Sequence, residues 1–169
     1  MTLLDELLQN HGKIGASACL AGEICRYDGK YSGNEIIEKL AATGKVFAFC
    51  PEVQGKLPTP REPAEIQRGD GFDVWNNKSE IVTLKGNNVT EEFKSGARNS
   101  LELLQEQGIS AVILKEDSPS CACCTIYDGT FTGVKKKGMG VAAALFQENR
   151  IAVHSDESLP SLPTPHKTL

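Results

Sequence analysis

Short apolar runs alternate with stretches of helical period along this chain, and that alternation constrains its fold more than any other feature. Strand-like segments are Ile14 to Cys19, Val46 to Cys50, Ile81 to Leu84, Ala111 to Leu114 and Ile151 to His154. Between them lie helical patterns near Asn34 to Ala42, from about Thr90 to Gln107, and from Ala142 to Glu148. The long helix has Asn88 or Thr90 as its cap, Glu91 and Glu92 in its first turn, and Gly108 as its stop. Parallel neighbours need crossover connections, which helices supply. The pattern therefore predicts an α/β fold, a three-layer Rossmann-like sandwich with a mostly parallel sheet covered by helices on both faces.

At 169 residues the chain is expected to form one domain, residues 1–157, with a disordered tail over 158–169 where Ser, Pro and Thr dominate. No apolar run is long enough to cross a bilayer. Acids in the first eight residues, Met1 to Leu8, replace the basic start of a secretory signal and read as an amphipathic helical turn or two. A cytoplasmic location is the resulting expectation. The formal net charge of −4 argues against long nucleic acids as partners and favours a small molecule. Lys135-Lys136-Lys137 reads either as a local basic patch or as a solvated loop, and the Pro-rich stretch from Gln54 to Arg68 as an irregular active-site loop.

Six cysteines in a reducing compartment point to metal binding or catalysis and away from disulfides. Cys19 and Cys50 end apolar runs, and Cys121 follows Ala-Val-Ile-Leu by a short loop. All three are thus expected at the carboxyl ends of strands, the edge where open parallel sheets bind ligands. Prolines Pro51 and Pro119 stiffen two of the turns. Three thiolates suit zinc or an iron–sulfur cluster, and Cys25, Cys123 or Cys124 stand near enough in sequence to supply a fourth. The Cys121-x-x-Cys124 spacing also admits a redox pair. The segment Tyr27-Asp28-Gly29 returns as Tyr127-Asp128-Gly129, which suggests either two equivalent Asp-Gly turns or a pseudo-symmetric pair of half-sites.

Taken together, Ser17-Ala18-Cys19-Leu20-Ala21-Gly22, Cys25-Arg26-Tyr27-Asp28-Gly29, Cys50-Pro51-Glu52, Pro60-Arg61-Glu62-Pro63, Ser118-Pro119-Ser120-Cys121 and Ile126-Tyr127-Asp128-Gly129 resemble the thiouracil desulfidases. The resemblance runs from about Ile14 to Glu157. It implies a [4Fe–4S] cluster held by Cys19, Cys50 and Cys121, with one iron free of protein ligands. It also implies a catalytic glutamate at Glu52 and an active-site serine at Ser118. The chain departs from the family pattern at Ala122-Cys123-Cys124, where a glycine commonly follows the third ligand.

The reaction so implied removes sulfur from a thiolated pyrimidine, 2- or 4-thiouracil or a 4-thiouridine nucleotide, to give the oxo-pyrimidine and sulfide. Glu52 would take a proton from water, and Ser118 would relay a proton or hydrogen-bond the ring. Plainer roles compete: Glu52 pairing with Arg61 at the surface, and Ser118 capping a turn before Pro119. Gly138-Met139-Gly140 at a helix start, beside the lysine run, suits a nucleotide phosphate or merely close helix packing. The histidines His11, His154 and His166 show no metal-ligand spacing. The competing functional classes are a zinc- or iron–sulfur-binding structural or redox-sensing module, and a metal-free Cys-x-x-Cys oxidoreductase.

Overall fold

The computed structural model describes residues 1–160. Its elements in chain order are α1 (Leu3–His11), β1 (Ile14–Ser17), α2 (Glu35–Ala42), β2 (Val46–Phe49), α3 (Pro51–Gln54), β3 (Ala64–Ile66), α4 (Gly71–Trp75), β4 (Ile81–Thr83), α5 (Thr90–Glu106), β5 (Ala111–Leu114), β6 (Thr125–Tyr127), β7 (Lys135–Lys137), α6 (Val141–Glu148) and β8 (Ala152–Ser155). The central sheet runs β2-β1-β5-β8, with every pairing parallel.

Side-chain alternation along the strands divides the core in two. On β5, Ala111 and Ile113 join Ile14, Ala16, Ile37, Leu4 and Leu7, which brings in α1 and α2. Val112 and Leu114 face the other way, against Phe93, Ala97 and Leu104 of α5 and Phe146 of α6. All four β5 residues are fully buried, as a strand covered on both faces requires. The result is the three-layer α/β sandwich expected from the alternation.

Local chemistry accounts for the helix boundaries. Thr2 and Asp5 form a capping box at α1, and Asn34 accepts the N–H groups of Ile36 and Ile37 at α2. At α5 the Asn88 carboxamide accepts from Thr90, whose hydroxyl in turn accepts the Ile81 N–H. Gly108 follows the helix with φ of 66°, the left-handed conformation that favours glycine.

Two small sheets depart from the expected pattern. The strand at Ile81 pairs antiparallel with β3, outside the parallel sheet, so the stretch from Gln54 to Arg68 is not wholly irregular. The lysine run is no solvated loop: it forms β7, antiparallel to β6, with Lys135 bonded to Asp117 at 2.9 Å. Of the expected tail, Ser158 to Pro160 are described and Leu159 is buried; residues 161–169 lie outside the described residues. Among the described residues no helix is long and apolar enough to cross a membrane.

A close contact between two helices sets the position of the Cys50 turn. The short α3 lies across α5 so closely that a Cβ on Gly96 would collide with the Pro51 carbonyl oxygen, and one on Gly55 with that of Glu92. Two glycines thereby fix the height of Cys50, Pro51 and Glu52 above the sheet edge.

Candidate functional site

The carboxyl ends of β1, β2 and β5 open into a cavity of about 300 Å³, at the lower end of the range for small-ligand sites. Cys19, Cys50 and Cys121 all line it, together with Glu52, Ser118 and a fourth thiol, Cys25. Cys19 stands two residues beyond β1, in a turn closed by the Leu20 N–H on the Ser17 carbonyl at 2.9 Å. Cys50 follows β2 directly and caps α3, with Pro51 as the first helical residue. Cys121 arrives on the loop after β5, buried, with its N–H on the Ser118 hydroxyl at 3.0 Å.

The thiols affect one another electrostatically. Cys25 shares its proton with Cys19 and Cys50, which pushes its own titration far up, holds Cys19 down and brings Cys50 to about 7. Burial drives Cys121 well above the usual thiol range; the Ser17 hydroxyl opposes this, and the charges of Cys50, Cys19 and Glu52 add to it. All the cysteines are free thiols. Among the described residues, the one three-donor group with all ligand atoms within 4.8 Å is Glu116, Cys123 and Cys124. Cys19, Cys50 and Cys121 are therefore spread more widely than a single tetrahedral ion would hold them, since metal–sulfur bonds of about 2.3 Å put sulfurs less than about 4 Å apart. Two buried soft donors, Cys19 and Cys121, and the half-buried Cys50 at that wider spacing fit an iron–sulfur cluster.

Glu52 projects from α3 and is mostly buried. Its Oε1 accepts from Arg61 Nε at 3.2 Å, and the Arg61 side chain is only 6% exposed. The pair is thus internal, not the surface pair that the plainer reading expects. The remaining Arg61 donors reach the carbonyls of Cys25 at 2.8 Å and Pro58 at 3.1 Å, and the Thr59 hydroxyl at 3.2 Å. One guanidinium so ties the Pro-rich loop, the Cys25 turn and the carboxylate together. Burial raises the Glu52 carboxyl above its ordinary range, while Arg61 and Ser118 draw it back.

Ser118 takes the plainer of its expected roles and lines the cavity as well. Its oxygen accepts the N–H groups of Ser120 and Cys121 at 3.0 Å each, which makes it a turn cap, and it shares the wall of the cavity with Glu52.

The phosphate reading of Gly138-Met139-Gly140 is overturned. The N–H groups of Gly140, Val141, Ala142 and Ala143 bond the carbonyls of Ala122, Pro119 and Ser120 at 2.8 to 3.1 Å, leaving the helix start no donor for an anion. That helix start instead pins the loop that presents Cys121.

Both Tyr-Asp-Gly segments are Asp-Gly turns: Asp28 accepts the Lys30 N–H and Asp128 the Thr130 N–H, each at 3.0 Å. The second copy does not follow a cysteine-ended strand of the sheet, because Tyr127 closes β6. Even so, Tyr27 and Tyr127 both line the cavity. Other lining residues carry little sequence signal. Ser17 accepts the Lys115 N–H at 2.9 Å and joins the ends of β1 and β5; its place two residues before Cys19 is the available clue. Glu116 belongs to the wall of the cavity, whereas Cys123 and Cys124 lie outside the lining.

The family model described as 2-thiouracil desulfurase matches residues 14–158. The Bacillus subtilis (strain 168) protein YbbK is 48% identical over 146 residues, which are 86% of this chain and 97% of that protein. A solved structure described as the [4Fe-4S]-dependent thiouracil desulfidase TudS is similar with a TM-score of 0.77 and 45% identity, over 88% of this chain and 93% of that one.

Proposed function

The chain belongs to the 2-thiouracil desulfurase family, and we propose that it is a [4Fe–4S]-dependent desulfidase that hydrolyses the carbon–sulfur bond of thiolated pyrimidines. The observation that carries this reading is the convergence of Cys19, Cys50 and Cys121 on the cavity that Glu52 and Ser118 also line.

Cys19, Cys50 and Cys121 would hold the cluster. When bound, it would supply a soft Lewis acid, one iron being free of protein ligands, to hold a thiocarbonyl sulfur and make the ring carbon electrophilic. The aromatic faces of Phe49, Tyr27 and Tyr127 in the lining suit a planar pyrimidine. Glu52, fixed by Arg61, takes a proton from the attacking water, a role that contributes about 10²- to 10⁴-fold in rate. Ser118 orients that carboxylate. Water adds oxygen to the ring carbon, the carbon–sulfur bond breaks, and the products are the oxo-pyrimidine and sulfide, with no net redox change.

The substrate set comprises 2-thiouracil, 4-thiouracil and 4-thiouridine nucleotides. Besides Arg61, the cations of the lining are Arg26 and Lys115, paired with Asp28 at 3.0 Å and Asp156 at 3.3 Å. The test is anaerobic reconstitution followed by incubation with 2-thiouracil, 4-thiouracil and 4-thiouridine monophosphate, watching the thiocarbonyl absorbance and assaying sulfide. Loss of the band with sulfide release supports the reading and ranks the substrates. A brown, iron-loaded protein that leaves all three intact would overturn it in favour of a redox-sensing module.

A further inference from the structure

Beside the cavity lies a second group of donors that the desulfidation does not use. Glu116 is 3% exposed and follows the end of β5. Its Oε1 accepts the backbone N–H groups of Cys124 and Thr125, both at 2.8 Å. The loop that carries two thiols thus sets the orientation of the carboxylate. Oε2 is left facing Cys123 Sγ at 3.7 Å, and the sulfurs of Cys123 and Cys124 lie 3.1 Å apart. All three ligand atoms fall within 4.8 Å of one another. Cys123 is half-buried and Cys124 exposed, so the group has a path to solvent.

We propose that Glu116, Cys123 and Cys124 form a second, mononuclear metal site, for zinc or a closely similar divalent cation, behind the cavity wall to which Glu116 belongs. Two thiolates and one carboxylate suit a borderline-soft ion, and three protein ligands leave the fourth position to water. Binding transfers the thiol protons to solvent and changes no oxidation state. The spacing that separates this group from the cavity thiols is the same criterion that fits the latter to a cluster: three donors within 4.8 Å here, a wider spread there. The ion would fasten the end of β5 to the start of β6. Ser118 and Cys121 lie on the loop between those two points, so the site would brace the wall that presents them.

The test uses full-length protein carrying its cluster, washed with chelator and titrated anaerobically with cadmium, whose thiolate charge-transfer band reports the ligands. Iron content is followed throughout. The site predicts about one equivalent of cadmium bound with iron unchanged, displaced by zinc, lost in the Cys123→Ser/Cys124→Ser double variant and weakened in Glu116→Gln. The double variant keeps its iron and still releases sulfide from thiouracil. Saturable cadmium binding that survives in the double variant, cadmium uptake only as iron leaves, or no saturable uptake at all would overturn the proposal. Iron content and sulfide release are read separately, so a failure of the second site is distinguishable from a failure of the desulfidase reading.

Discussion

Ser118 shapes the turn that presents Cys121, its side-chain oxygen accepting the Cys121 N–H at 3.0 Å. A hydroxyl has two acceptor lone pairs and one proton. The N–H groups of Ser120 and Cys121 occupy the acceptor side at 3.0 Å each, so only the proton remains for the cavity that Ser118 and Glu52 both line. The same residue therefore holds the loop that carries Cys121 and stands in the wall beside the group assigned to activate water.

Replacing Ser118 by alanine removes a hydrogen bond to a charged group, worth about 1.5–3 kcal/mol, so turnover should fall by roughly 10- to 100-fold. Ser118→Thr keeps the hydroxyl and should restore much of the rate. Steady-state kinetics on reconstituted protein, with iron content measured in parallel, checks both. Equal iron and unchanged turnover in the alanine variant would remove the assigned role.

Glu52→Gln preserves shape and removes the base. The variant should bind iron and show the same brown absorption, while turnover falls by about 10²- to 10⁴-fold. Single-turnover desulfidation of thiouracil measures it; a rate equal to that of the unaltered protein would contradict the assignment.

Arg61→Met leaves a buried carboxylate without its partner and three oxygen acceptors without a donor. Breaking a buried ion pair from one side destabilises by about 3–5 kcal/mol. Chemical denaturation should show that loss. Arg61→Lys should recover only part of it, because an ammonium cannot reproduce the guanidinium fork.

Gly96→Ala adds a methyl group against the Pro51 carbonyl, and backbone on both sides must move. The expected loss of stability is about 1–3 kcal/mol, with weaker retention of iron because Cys50 rides on the displaced helix. Ser95→Ala, at the exposed neighbouring position, should stay within about 0.5 kcal/mol. Thermal melts and iron analysis of the two variants make the comparison.

Much of this site is readable in the chain because it is a consequence of topology. Strand–helix alternation puts the ends of β1, β2 and β5 on one edge, so Cys19, Cys50 and Cys121 come together without any pairing signal of their own. Glu52 is legible from its place two residues after Cys50. What escapes the sequence is set by contacts distant along the chain. Arg61 reaches back to the carbonyl of Cys25, and nothing local to either residue foretells that. The glycines at the start of α6 look like an anion cradle until the carbonyls of Pro119 and Ser120 fill it. The antiparallel pairs β3–β4 and β6–β7 are three residues per strand, too short to establish a period.

The most direct test of the central claim is the iron and acid-labile sulfide content of anaerobically reconstituted protein, compared with its Cys19→Ser, Cys50→Ser and Cys121→Ser variants. The account predicts about four iron and four sulfide per chain, with the broad visible absorption of a cluster, and loss of both in each variant. Full iron and sulfide in any one of the three variants would contradict it, because the cavity would then hold its cluster through a different set of thiolates.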